Sequence, residues 1–389
     1  MHAGRIIFAQ LMDFFPTHEF NRCVRRYRGN YKVRRFSCRD QFLCMAFAQL
    51  TGRESLRDIE TCLRSMRHKL FHAGFRATVA RNTLAKANEN RDWRIYADLA
   101  AVLIAHARRL YVGEAFAVDL DQTVYAFDST TVDLCLTLFP WAQFRRRKSA
   151  VKLHTLIDLR GNIPCFVHVS GGRMADVTSL DLLPIEAGSF YVMDRGYTDF
   201  ERLYRFTQGL AFFIIRAKRD LDFAYRAHRE VDKSTGLRSD TTIRLRGPKT
   251  SKRYPAPLRR IHYYAAEIDK RFVFLTNNFA LPALTIAQLY QCRWQVELFF
   301  KWIKQYLRIK AFYGTSINAV KIQVWVAVCV YVLVAIIKKE LKIARSLGEI
   351  LQILSISLFE KTPLLQAFSR DSLTMGNDLN HKQLSLFDF

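Results

Sequence analysis

The chain has 389 residues, half of them hydrophobic, which is enough to bury a large core and excludes a disordered protein. Lys and Arg total 60 against 35 Asp and Glu, a net charge of +25. That excess points to a polyanionic partner, nucleic acid before a membrane surface, because no basic amphipathic anchor stands out. The eight cysteines are scattered without C-x-x-C or zinc spacing, as expected of reduced cytosolic thiols.

Residues 1–115 read as short helices. Arg39–Leu50 is amphipathic and stops at Thr51-Gly52. Ser55 can cap the next helix, with Asp58 three residues on. A third helix begins near Thr78 and carries Arg81, Asn82, Thr83, Lys86 and Asn88, amide and basic types suited to base edges and phosphates. A long helix follows over Asp92–Leu110. The pattern fits an all-α DNA-binding domain of the helix-turn-helix type, and equally an ordinary helical domain with solvated basic faces.

Residues 116–220 alternate between strands and helices. Thr123–Phe127 is a strand expected to end in Asp128. Lys148–Leu159 and Ile163–Val169 form a hairpin. Ser189–Met193 is a strand ending in Asp194, Thr198–Gln208 a helix, and Leu210–Ile215 a buried strand. Strand ends are where mixed α/β sheets place their sites, although Asp after a strand is also a good turn former. Arg145 and Arg146 begin a cationic patch through Lys148. Residues 221–283 read as strands at Thr241–Leu245, Ile261–Ile268 and Arg271–Thr276 and carry Arg244, Arg246, Lys249, Lys252, Arg253, Arg259 and Arg260, a basic β-rich insertion placed to grip DNA.

Residues 284–345 hold Y-Q-C-R-W-Q-V-E-L-F-F-K-W-I-K, Tyr290 to Lys304. At about 100° per residue, Tyr290, Arg293, Glu297 and Lys304 fall within about 60° of one another on a continuous helix, with Lys301 close by. The rest of the circumference is apolar, so the helix is expected to be buried. Arg293 and Glu297 alone would read as an i,i+4 ion pair. Joined by Asp128 and Asp194, Glu297 becomes the third hard oxygen ligand that two-metal phosphoryl transfer requires. Val324–Ile337 is apolar but short of the ~20 residues that span a bilayer, so no membrane association is expected. Residues 346–389 are a helix and a tail.

A-F-D-S-T-T at 126–131, V-M-D-R-G-Y at 192–197 and Y-x2-R-x3-E-x6-K at 290–304 resemble the signatures of bacterial insertion-sequence DDE transposases, in the family numbered four. Q-L-T-G-R-E-S-L-R-D-I-E at 49–60 and A-R-N-T-L-A-K-A-N-E at 80–89 resemble their helical leader. The resemblance runs from about residue 5 to about residue 345. It implies an RNase H-like core interrupted by the β-rich insertion, and cut-and-paste transposition. Asp128, Asp194 and Glu297 would be both the catalytic residues and the ligands of two Mg2+ (or Mn2+). Tyr290, Arg293 and Lys304 would hold phosphates of the element end, with Lys301, Arg195, Arg145, Arg146, Arg81, Asn82 and Lys86 as further DNA contacts. The partners would be the terminal inverted repeats and target DNA, bound as a homodimer in the bacterial cytoplasm at the nucleoid. Q-L-S-L-F at 383–387, with Gln383, Leu384, Leu386 and Phe387, resembles the peptide that docks on the replication sliding clamp. A DNA-binding relic without catalysis and a two-metal repair nuclease are the alternatives.

Overall fold

The structure is a computed structural model that describes residues 4–76, 78–114, 118–145, 148–305 and 312–369. Seven helices open the chain: α1 (Ile7–Leu11), α2 (Thr17–Arg26), α3 (Cys38–Leu50), α4 (Leu56–Ser65), α5 (Arg67–Leu70), α6 (Arg81–Asn90) and α7 (Arg94–Tyr111). Their starts are written locally. Ser37 and Asp40 form a reciprocal capping box on α3, and the Ser55 hydroxyl accepts from the Asp58 amide on α4.

The central strands are β1 (Val124–Leu134), β2 (Gln143–Arg145), β3 (Lys148–Asp158), β4 (Ile163–Gly171) and β5 (Phe190–Met193), followed by α8 (Phe200–Gln208) and β6 (Phe212–Arg216). β1, β5 and β6 run parallel at the centre, with Phe127 beside Met193 and Met193 beside Ile215. Alternate residues of these strands enter two different apolar clusters, one on each face of the sheet. This explains why they read as unbroken apolar runs rather than as alternating patterns.

β1 does not end at Asp128. It continues to Leu134, held by antiparallel pairing of Ser129–Leu134 with β3. What ends at Phe127 is the parallel ladder to β5. Asp128 therefore sits where its strand loses one neighbour and keeps the other.

Next come β7 (Phe223–Arg229), β8 (Leu237–Leu245), α9 (Pro248–Arg253), β9 (Leu258–Ala265) and β10 (Lys270–Thr276). β10 pairs antiparallel with β6, so the segment expected as an insertion extends the core sheet. One ten-stranded sheet results, ordered β2-β3-β1-β5-β6-β10-β9-β8-β7, with β4 on β3. Arg259, counted from sequence among the DNA-gripping cations, is only 3% exposed. Its guanidinium donates to both carboxylate oxygens of buried Asp240 at 2.9 and 2.7 Å, which spends that charge inside the fold.

The chain closes with α10 (Ala283–Gln291), α11 (Trp294–Gln305), α12 (Ile317–Glu340), α13 (Leu347–Ser357) and α14 (Leu364–Phe368). Tyr290–Lys304 is thus two helices, not one. The break falls at Cys292-Arg293, where the Arg293 and Val296 amides reach back three residues, to Tyr290 and Arg293 carbonyls. α12 is longer than its apolar run because Ile317–Gln323 continues the helix on the N-terminal side. It is the one helix among the described residues long and apolar enough to cross a bilayer, and 89% of that window is buried inside the protein, packed on α7.

Candidate active site

Asp128 and Asp194 follow directly on the paired residues Phe127 and Met193 of two adjacent parallel strands. That register brings the two backbones together at the same end of these central strands. α10 packs on β5, β6 and β8, and α11 on β1 and β3. The hydroxyl of Tyr290, near the end of α10, donates to Asp194 Oδ1 at 3.2 Å. Arg293, at the helix break, donates from Nη1 to Asp128 Oδ2 at 3.1 Å and from Nη2 to Glu297 Oε1 at 2.6 Å. Lys304, near the end of α11, donates to the Thr131 carbonyl at 2.8 Å, tying the helix to the exposed continuation of β1.

The acids differ in setting. Asp128 accepts from the Ser129 amide at 2.8 Å. Burial pushes its carboxyl up to about 6, against that amide and the Arg293 charge, with Glu297 and Asp194 adding repulsion. Glu297 is the open one: its side chain is 56% exposed, against 21% for Asp128 and 17% for Arg293. The apolar side of α11 is buried as expected, through Val296, Phe299, Phe300 and Ile303, and Glu297 lies on its exposed polar stripe. Tyr290 is 7% exposed, and burial pushes its phenol up to about 12. Its ring packs 4.7 Å from that of Phe274 on β10. Arg195 and Lys301 are both exposed.

Among the described residues no three acidic, His or Cys side chains already converge as a metal nest. The donor set nevertheless suits divalent ions. The oxygen ligands are hard, the three carboxyls repel one another electrostatically, and a cationic guanidinium bridges two of them.

The remaining candidates lie elsewhere. Arg81, Asn82 and Lys86 are exposed on α6, whereas Asn88 is buried and accepts from Gln41 at 2.7 Å. Lys86 and Asn82 line a groove of about 960 Å³ opposite the loop between α2 and α3, which supplies Arg28, Tyr31, Arg34 and Arg35. Sequence reading missed this loop because it lies between helices. Its signal is the run R-R-Y-R-G-N-Y-K-V-R-R at 25–35, cations interleaved with aromatics. Gly29 is required there, since a Cβ would lie 2.5 Å from Ile95 Cδ1 and 2.7 Å from Cys38 Sγ. Arg145 lies on β2 at the sheet edge. Arg146 and the tail residues Gln383, Leu384, Leu386 and Phe387 lie outside the described residues.

The chain thus joins a helical leader to a mixed sheet with two aspartates where the parallel ladder of β1 and β5 ends. Residues 119–333 match the transposase DDE domain family, and residues 3–76 match a domain of unknown function, DUF4372. A Sinorhizobium fredii protein named as the transposase y4zB is 30% identical over 72% of this chain and 77% of its own length. A Geobacillus stearothermophilus protein named as the transposase of insertion sequence element IS5377 is 30% identical over 65% of this chain and 66% of its own. A Synechocystis protein named as the transposase of insertion sequence element IS4SA is 22% identical over 91% and 96%. Among solved structures, that of the piggyBac transposase synaptic complex with hairpin DNA is matched at a TM-score of 0.49 and 10% identity, over 92% of this chain and 80% of that one. The chain belongs to the transposase DDE domain family, whose members cleave DNA and transfer strands with the help of divalent metal.

Proposed function

We propose that Asp128, Asp194 and Glu297 are the catalytic acids of this transposase and hold two Mg2+ or Mn2+ ions. The observation that carries the reading is that one short motif reaches every acid: Tyr290 bonds to Asp194, and Arg293 bonds to both Asp128 and Glu297. Bound there, the ions supply an activated oxygen nucleophile and offset charge on the leaving oxygen. The chain's own residues do the positioning. Tyr290 and the Ser129 amide fix the two aspartates, Lys304 locks α11 to β1, and Arg195, Lys301 and Arg293 present cations to the phosphates of a DNA end. Cut-and-paste transposition follows: cleavage at the terminal inverted repeats, then joining of the 3′-hydroxyl ends to target DNA.

Specific binding is assigned to the first helical unit, residues 1–115, through Arg81, Asn82 and Lys86 and the facing cationic loop. The basic residues left exposed on 221–283, with Arg145 and Arg146, add affinity without sequence choice. A homodimer on DNA would bring two ends together, and the tail at Gln383–Phe387 would dock on the sliding clamp at the nucleoid.

The deciding experiment is Glu297→Gln. Unchanged binding of a duplex carrying the flanking inverted repeat, with loss of Mg2+-dependent nicking, is the expected result. Nicking at the wild-type rate would overturn the assignment. For the tail, a peptide of residues 378–389 should bind the clamp, and its Leu386→Ala/Phe387→Ala form should not; equal binding by both would end that idea.

A further inference from the structure

Arg293 is built into the acidic site more deeply than a phosphate-binding residue needs to be. It bridges a carboxylate on β1 and another on α11. Its side chain is 17% exposed, and its ring-side neighbour is Tyr290, at 6.0 Å from guanidinium to ring centroid. Burial beside Glu297 and Asp194 would leave Asp128 poorly compensated without a cation. Arginine is the side chain whose rigid fork can satisfy two separate carboxylates at once.

The same arrangement is incomplete as a permanent structural bridge. The Arg293 Nε–H is buried and has no hydrogen-bond partner. The residue also stands at the break between α10 and α11, where its own amide and the Val296 amide make three-residue turns rather than helical bonds. A side chain rooted at such a break can be re-aimed without unwinding a helix. A phosphate diester offers the fork two oxygens, without the crowding of a third acid nearby.

We propose that Arg293 is a positioning residue that stands in for the divalent ions: it holds Asp128 and Glu297 together before DNA arrives, and yields them when a DNA phosphate takes its guanidinium. The inference rests on the acidic triad proposed above. The Arg293 fork takes Asp128 Oδ2 and Glu297 Oε1, and its charge occupies the space between the acids, so metal and Arg293 compete there. DNA that draws Arg293 away must therefore tighten metal binding, and metal must tighten DNA binding by the same factor. The enzyme is thereby kept from loading metal, and from nicking, away from DNA.

The test is direct Mn2+ binding to the full chain, read by electron paramagnetic resonance without turnover. Arg293→Gln should bind Mn2+ about tenfold or more tightly than wild type in the absence of DNA. A double-stranded oligonucleotide should tighten Mn2+ binding by wild type and leave Arg293→Gln little changed. Lys301→Gln removes the same charge from α11 without vacating the carboxylates. If it tightens Mn2+ binding as much as Arg293→Gln, the effect is a general field and the proposal falls. It falls also if Arg293→Gln matches wild type without DNA. Asp194→Asn separates this from the triad itself: loss of Mn2+ binding in both backgrounds upholds the triad, and retention in both overturns it. Should Arg293→Gln fold poorly, the wild-type titration with and without oligonucleotide still decides, since equal affinities refute the coupling.

Discussion

The Tyr290 hydroxyl donates to Asp194 Oδ1 at 3.2 Å, and this one bond joins the end of α10 to the central strand of the sheet. Its ring is held independently, 4.7 Å from Phe274. Tyr290→Phe therefore keeps the packing and removes only the donor. A side chain that orients a metal ligand is worth about 10- to 100-fold in metal affinity or activity. The expected outcome is a loss of that size in Mg2+-dependent cleavage, with a melting temperature close to wild type. A large drop in melting temperature with unimpaired cleavage would make Tyr290 a packing residue only.

The groove between α6 and the loop carrying Arg28, Arg34 and Arg35, proposed above to bind DNA, offers two kinds of contact. Arg34→Ala and Arg35→Ala should weaken binding to all sequences alike and lower the salt dependence by about one unit of slope each. Asn82→Ala should leave the slope and reduce preference for the inverted repeat, by about 1–3 kcal/mol at its base pair. Competition binding at several salt concentrations measures both. Equal losses of specificity in all three variants would remove Asn82 as a reader.

His154 should contribute to acid sensitivity. His154 is 0% exposed on β3, and burial holds its imidazole down at about 4, with His168 and Lys152 adding to the effect and Asp176 opposing it. The unfolded chain titrates near 6.5 and so binds the proton first as pH falls. Stability from this group is full above about 6.5 and declines towards 4, by about 2 kcal/mol at pH 5. Denaturant unfolding at pH 7.5 and pH 5 should show wild type losing about 2 kcal/mol more on acidification than His154→Gln, the offset from the raised Asp128 carboxyl being common to both. Identical pH slopes would refute it.

The buried pair of Arg259 and Asp240 predicts an asymmetry. Asp240→Ala strands the buried Arg259 charge, at a cost of about 3–5 kcal/mol, and Arg259→Ala leaves Asp240 only the longer pair with Arg229 at 3.5 Å. Arg259→Met with Asp240→Leu should cost much less than either single change. Chemical denaturation of the three variants checks this, and additive losses would contradict it.

Which parts were legible from sequence follows from what each residue faces. Asp194 was visible because four buried apolar residues precede it and a glycine turn follows. The run-on of β1 beyond Asp128 was hidden because Ser129, Thr130 and Thr131 also suit a turn, and only pairing with β3 makes them a strand. The break at Cys292-Arg293 was hidden because the stretch holds no glycine or proline and its apolar pattern is continuous. β7 went unread because the middle of this edge strand, Tyr225–His228, is exposed, so its pattern is set by solvent and not by a core.

The continuity of the sheet from β1 to β7 makes it a measuring device. Six strand spacings of about 4.8 Å separate the two, roughly 29 Å along the sheet. A duplex lying across the strands rises by that much in roughly eight or nine base pairs, at about 3.4 Å each. A cut beside Asp128, where the acidic triad is proposed, and any grip by the far strands would then be held at a fixed spacing by the backbone hydrogen bonds of one sheet. Distance from the element's tip, as well as base sequence, would become something this fold can read.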